Sequence, residues 1–145
     1  VPMLAVAIGL FGSGWLPGST LRWAAFAAAC LGGWLITYLL NAAIGSLSLY
    51  MESSLKVVDV YLVLFFVFSG YTIPVDLFPG WLAAIGDALP FRYQIALPVG
   101  VLTSAHGSRE LSALLLQQWA YVAGLLVATL LLWSRAVRRY GAFGG

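Results

Sequence analysis

Charge is what this chain most lacks. Its 145 residues include only seven basic and five acidic side chains, whereas a water-soluble domain carries about a quarter charged residues. No charged residue lies between Arg22 and Glu52, and none between Glu110 and Arg135. Both gaps exceed the ~20 apolar residues that cross a bilayer. So few charges exclude an ordinary soluble surface. The formal net charge of +2 is small and scattered, which excludes a nucleic-acid surface.

Other absences narrow the chemistry. Cys30 is the single cysteine and lies in an apolar run, so no intrachain disulfide or cysteine metal site forms. It reads as a small packing residue. There is no GxxxxGK[ST] phosphate loop and no HExxH pair. His106, the lone histidine, falls in a Gly/Ser turn and reads as a solvated loop residue. No base and nucleophile combine into a triad. The expectation is a chain without a catalytic site, metal or cofactor of its own.

What is present is apolar: 62% of residues are hydrophobic. Four stretches stand out. Val1 to Phe11 is too short to span and enters without a basic leader. It reads as the middle of a hydrophobic segment whose N-terminal part is absent. After the breakers Gly12, Gly14, Pro17 and Gly18, Thr20 is placed to cap a helix from Trp23 to about Tyr50. The third stretch runs from Val57 to about Ile73, with Pro74 ending it. The fourth, Leu111 to Trp133, holds nine Leu and two Val. At ~−0.5 kcal/mol each these favour insertion by roughly 5 kcal/mol before polar penalties. Ser108 is placed to cap it, and Glu110 suits the helix dipole.

Val75 to Gly107 departs from this pattern. It contains Pro79, Pro90 and Pro98 and reads as two short apolar helices, about Pro79–Leu89 and Phe91–Thr103. Neither is long enough to span, and such segments are usually interfacial or re-entrant. Pro79 suits a first helical turn. Arg135, Arg138 and Arg139 crowd after the last span, which makes that end cytoplasmic by the positive-inside rule. The proline-rich region is then external, and the link at Glu52 to Lys56 cytoplasmic. The expected fold is all-α: a polytopic membrane helix bundle with about four transmembrane segments, the first truncated, and two short external helices before the last span. Residues 1–145 form a single transmembrane domain.

Three groups of residues are candidates for function. Ala25, Ala29, Gly33, Thr37, Asn41 and Gly45 recur every fourth residue, a stripe suited to close helix approach or to lining a path. Gln117 and Gln118 pose the same choice in the last span, and a buried amide there needs a partner on another helix. Glu52, Lys56 and Asp59, with Arg135, Arg138 and Arg139, form charged clusters that either anchor the chain at the interface or touch a cytoplasmic partner. The run from Ser69 to Trp81, then Leu89 to Gln94 and Pro98-Val99, reads as proline-punctuated turns or as a gate over a pathway.

These runs resemble the permease subunits of type-two ABC exporters, in particular the bacterial branch with an "SGxxIPxxxFPxWL" element followed by "LPFxY…PV". Here the residues are Ser69, Gly70, Ile73, Pro74, Phe78, Pro79, Trp81 and Leu82, then Leu89, Pro90, Phe91, Tyr93, Pro98 and Val99. Gln118-Trp119 in the last span and the ending Arg138-Arg139-Tyr140 are also similar. The resemblance implies the C-terminal part of a six-span permease with both ends cytoplasmic, in a bacterial inner membrane. It implies a second permease subunit, identical or paralogous, and separate ABC ATPase subunits that bind ATP and Mg. Gly70, Pro74, Phe78, Pro79, Pro90 and Phe91 become candidates for an external gate. Ala29, Gly33, Thr37, Asn41 and Gln118 become packing or pathway candidates. The alternatives are a structural or assembly membrane protein without transport, and an intramembrane enzyme relying on Asp59, Asp87 and Arg92.

Overall fold

The computed structural model describes Gly9 and residues 19–48, 55–103 and 107–141. The first hydrophobic stretch apart from Gly9, Glu52 and His106 lie outside the described residues. Among the described residues the protein is all-helical, with helices α1 (Thr20–Leu47), α2 (Leu55–Phe68), α3 (Gly80–Asp87), α4 (Ala96–Leu102) and α5 (Ser108–Gly141). Two 3-10 turns, Val75–Leu77 and Pro90–Tyr93, precede α3 and α4.

Helices α1 and α5 are long and apolar enough to cross a membrane, over Thr20–Leu47 and Arg109–Arg138. Ser19, not Thr20, caps α1: its Oγ accepts from the backbone N–H of Arg22 at 3.3 Å. Ser108 lies inside α5 as its first residue, with Glu110 in the first turn. The carbonyl of Gly107 takes the N–H of Leu111 at 2.9 Å.

Helix α2 stops at Phe68, earlier than the expected Ile73. Pro74 does not end it. Gly70 does, with φ at +81°, a backbone region that side chains with a Cβ rarely occupy. Ser69 secures the turn by accepting the N–H of Tyr71 on its Oγ at 3.2 Å. Pro74 instead heads the first 3-10 turn, its carbonyl accepting from Leu77 at 3.0 Å. The described α2 has 14 residues, about 21 Å at ~1.5 Å per residue.

The two short helices also differ from expectation. Pro79 is the N-cap of α3 and lies just outside its first turn, where its carbonyl receives the N–H groups of Leu82 and Ala83. The segment from Phe91 to Thr103 is not one helix but a 3-10 turn followed by α4. Pro90 opens the 3-10 turn, where its missing N–H leaves nothing unsatisfied. Pro98 falls in the first turn of α4 for the same reason.

Helices α1 and α5 run parallel. Gln118 bonds the carbonyl of Ala29 and Thr129 bonds that of Leu39, so both chains advance in the same direction. The chain therefore leaves α1 at one end of the pair and enters α5 at the other. Helix α2 makes the return along their length, and the segment Val75–Thr103 folds back as a hairpin near the starting end. The core joins Ala29, Ile36 and Leu39 of α1 to Tyr93, Leu97 and Val101 of the hairpin and Leu111 and Val122 of α5.

Candidate pathway cleft and re-entrant hairpin

The site starts at two adjacent glycines. A Cβ on Gly33 would stand 2.9 Å from the carbonyl oxygen of Gln94 and 3.0 Å from that of Tyr93. A Cβ on Gly32 would stand 2.5 Å from Cδ of Gln118. Both distances lie inside van der Waals contact: a Cβ at Gly33 would meet hairpin backbone that cannot turn aside, and one at Gly32 would push the Gln118 amide out of its notch. Ala29, fully buried one turn earlier, continues the seat.

The hairpin reaches deep. Gly33 lies thirteen residues into α1 from Thr20, about 20 Å at ~1.5 Å per residue. Irregular backbone at membrane depth has no water to bond and needs partners from protein. It finds them. Gln118 Nε2 donates to the carbonyls of Tyr93 at 2.9 Å and Ala29 at 2.8 Å. The N–H of Ala96 donates to the carbonyl of Ser69 at 3.1 Å, tying α4 to the end of α2. Gln94 Nε2 donates to Thr37 Oγ1 at 3.1 Å, and the Thr37 hydroxyl in turn donates a hydrogen bond to the carbonyl of Gly33 at 3.0 Å. Tyr121 of α5 closes the far side by donating to the carbonyl of Ala88 at 3.1 Å.

A cleft of about 730 Å³ opens between α1 and α2, floored by the hairpin. Trp34, Thr37 and Asn41 of α1 face Tyr61 and Phe65 of α2 across Gln94. Helix α2 touches the rest of the fold chiefly through the second 3-10 turn, and Phe68 is its only buried residue. Phe91 of that turn packs on Tyr61, with ring centroids 6.1 Å apart.

The four-residue stripe thus serves two surfaces. Ala29 and Gly33 are buried in the α1–hairpin–α5 contact, whereas Asn41 and Gly45 are exposed. Each step of four residues advances ~40° around a helix with 3.6 residues per turn, so the stripe winds out of the interface. Ile36, Leu39 and Ser46 carry the buried face onward.

Of the gate candidates, Gly70 and Phe78 lie where α2 joins the hairpin, and Phe91 packs on Tyr61 farther along α2. Phe78 stacks edge-on against Phe68 at 6.1 Å, and a Cβ on Gly70 would stand 3.2 Å from that of Ala96. Pro74 and Pro79 are exposed, and Pro90 is half-buried. Asp87 and Arg92 pair at the surface, with the Arg92 guanidinium also 5.8 Å from the Tyr93 ring centre. Lys56 and Asp59 are exposed on α2, and Arg135 and Arg138 on the last turns of α5. Arg139 continues that helix, its side chain lying outside the described residues.

Gly32 and Thr129 carry contacts that sequence reasoning did not single out, and Ser69 and Gln94, known only as members of the motif runs, carry hydrogen bonds to Ala96 and Thr37. The Gly32-Gly33 pair was the available signal: two adjacent glycines allow close approach on two neighbouring faces.

Two long parallel apolar helices enclosing a recessed, proline-punctuated hairpin define an α-helical integral membrane protein. Residues 1–102 match the family model described as ABC-2 type transporter, and the chain belongs to that family. It is thus a permease component of an ABC transporter. No curated protein and no solved structure matches the chain.

Proposed function

We propose that these residues are the C-terminal part of the permease subunit of a bacterial ATP-driven exporter in the inner membrane. In this reading they form one transmembrane domain, and a second permease subunit, identical or paralogous, completes the pathway. Separate ABC ATPase subunits bind ATP and Mg and supply the energy. The C-terminus is cytoplasmic, as the cluster Arg135, Arg138 and Arg139 after the last span favours. The hairpin then faces outward and gates release.

The observation that carries the reading is the seat of the hairpin between two parallel spans. Bonds from Gln118 to Tyr93 and from Gln94 to Thr37 join it to α5 and α1, while α2 rests on the hairpin through Tyr61 against Phe91 and Phe68 against Phe78. ATP binding shifts the membrane helices only by contacting one of their arrangements better than the other. In this reading α2 is the element that moves against the α1–hairpin–α5 unit, opening or narrowing the cleft.

Affinity purification of the full permease from its native membrane tests the assignment. An ABC ATPase should come down with it in fixed stoichiometry, and its hydrolysis should depend on the permease. A robust complex without any ATPase would replace this reading with an assembly role.

A further inference from the structure

The ion pair of Asp87 and Arg92 lies where charges are costly. Trp133, exposed on α5 and followed by Arg135, marks one edge of the hydrocarbon. The hydrocarbon is ~30 Å thick, or about 20 helical residues, which puts its other edge near Ala113. Gln118 is then about 8 Å inside that edge and Tyr121 about 12 Å, at ~1.5 Å per residue. Gln118 holds the carbonyl of Tyr93, the residue after Arg92, and Tyr121 holds that of Ala88, the residue after Asp87. Two bonds to α5 therefore set the pair at the depth of acyl chains.

The pair is not enclosed by protein. The Arg92 side chain is 24% exposed and that of Asp87 61%. Aspartate is too short to carry its carboxylate back to the interface, and Arg92 is engaged by Asp87 and the Tyr93 ring. Charged groups at such depth face protein or a water-filled cavity, because hydrocarbon does not solvate them. A cavity is there. Asp87 and Arg92 line a recess of about 270 Å³ between the first 3-10 turn and α3, with Phe78, Ala83 and Gly86. A second recess, of about 470 Å³, shares Val75 and Arg92 with it and runs to Thr103 and Glu110. Glu110 precedes Ala113 on α5 and so stands outside the hydrocarbon edge.

We infer that the two recesses form one water-filled vestibule, open at the Ser108 end of α5, that brings the aqueous phase about 8 Å into the bilayer and solvates the Asp87–Arg92 pair. Glu110 stands at its mouth, and Arg92 and Asp87 at its floor. It admits water and hydrated polar groups and excludes acyl chains. That released cargo meets water at this floor rests on the permease reading above; the vestibule itself rests on the depth and exposure of the pair.

The test uses the full permease complex in lipid vesicles, with its native cysteines, Cys30 included, replaced by Ala. Nitroxide labels go on Asp87→Cys and on Ala83→Cys, which lines the recess and keeps the pair intact. Controls are Leu116→Cys and Leu126→Cys, exposed on α5. Relaxation by a neutral, water-soluble nickel chelate reports water, and relaxation by dissolved oxygen reports hydrocarbon. The ratio of nickel to oxygen effects should be about tenfold higher at positions 83 and 87 than at 116 and 126, although Leu116 is nearer the hydrocarbon edge than Gln118. Oxygen-dominated relaxation at 83 and 87 would mean lipid there, and weak relaxation by both agents would mean a covering protein segment; either result overturns the inference. An impermeant thiol reagent should reach Ala83→Cys from the side on which Ser108→Cys reacts, and access only from the opposite side overturns it as well. Asp87→Asn should keep the yield of complex within about twofold, because water solvates the guanidinium left behind. Loss of most of the complex would show that the pair is dry and would also overturn the vestibule. ATPase co-purification is read on the same preparation, so failure of the exporter assignment and failure of the vestibule are told apart.

Discussion

The side-chain amide of Gln118 occupies the notch that Gly32 leaves on α1, so close that a Cβ there would stand 2.5 Å from its Cδ. Gln118 is fully buried, and from this notch it reaches both Ala29 and Tyr93. One amide thereby joins both spans and the hairpin. Without it, the Tyr93 carbonyl would sit at membrane depth with no donor.

Replacing Gln118 by Leu should lower stability by about 1–3 kcal/mol, because it strands the Tyr93 carbonyl while keeping a similar volume. Thermal unfolding of the detergent-solubilised permease measures this. A variant as stable as the parent would show that Gln118 fills space and does nothing more.

Gly33→Leu should block assembly, since even a Cβ at that position meets the backbone of Gln94 at 2.9 Å. Backbone cannot swing aside as a side-chain end does, so the hairpin must lift off α1. The yield of intact complex after size exclusion reads the outcome, and a normal yield contradicts the seat described for the hairpin.

Gly70→Ala should destabilise the turn after α2 by about 1–2 kcal/mol through its positive φ, with the 3.2 Å approach to Ala96 adding to this. Transport should fall more than expression does, because the turn sets the angle between α2 and the hairpin. Equal loss of both would make Gly70 a folding residue only.

Pro74→Ala and Pro90→Ala should impair transport more than His106→Ala. Each proline heads a 3-10 turn of the hairpin and narrows the backbone freedom of the segment it begins. Substrate efflux compared at equal protein level decides the ranking. Equal activity in all three variants would remove the gating role.

The parallel pairing of α1 and α5 fixes the threading. In a chain with Cys30 replaced by Ala, single cysteines at positions 108 and 138 should react with impermeant thiol reagents from opposite sides of the membrane. Reaction of both from one side would break the topology and the exporter assignment together.

Much of this was legible along the chain. Scarcity of charge and the length of the apolar runs are properties of each segment alone, and lipid selects on them directly. The breaks at Pro79 and Pro90 follow equally from local chemistry, since a missing N–H acts wherever it stands, whereas Pro98 sits inside the first turn of α4 and breaks nothing. The end of α2 was misplaced because Gly70 and Pro74 both break helices, and the backbone adopts whichever break comes first. Contacts between distant segments left no such mark. The pairing of Gly32 with Gln118 spans most of the chain, and an amide's orientation depends on which carbonyls other elements bring to it. The stripe of small residues showed that something packs closely on α1. Folding alone determined that the hairpin packs there, about 20 Å along the helix at ~1.5 Å per residue, because depth depends on how three segments fit together and no single segment encodes it.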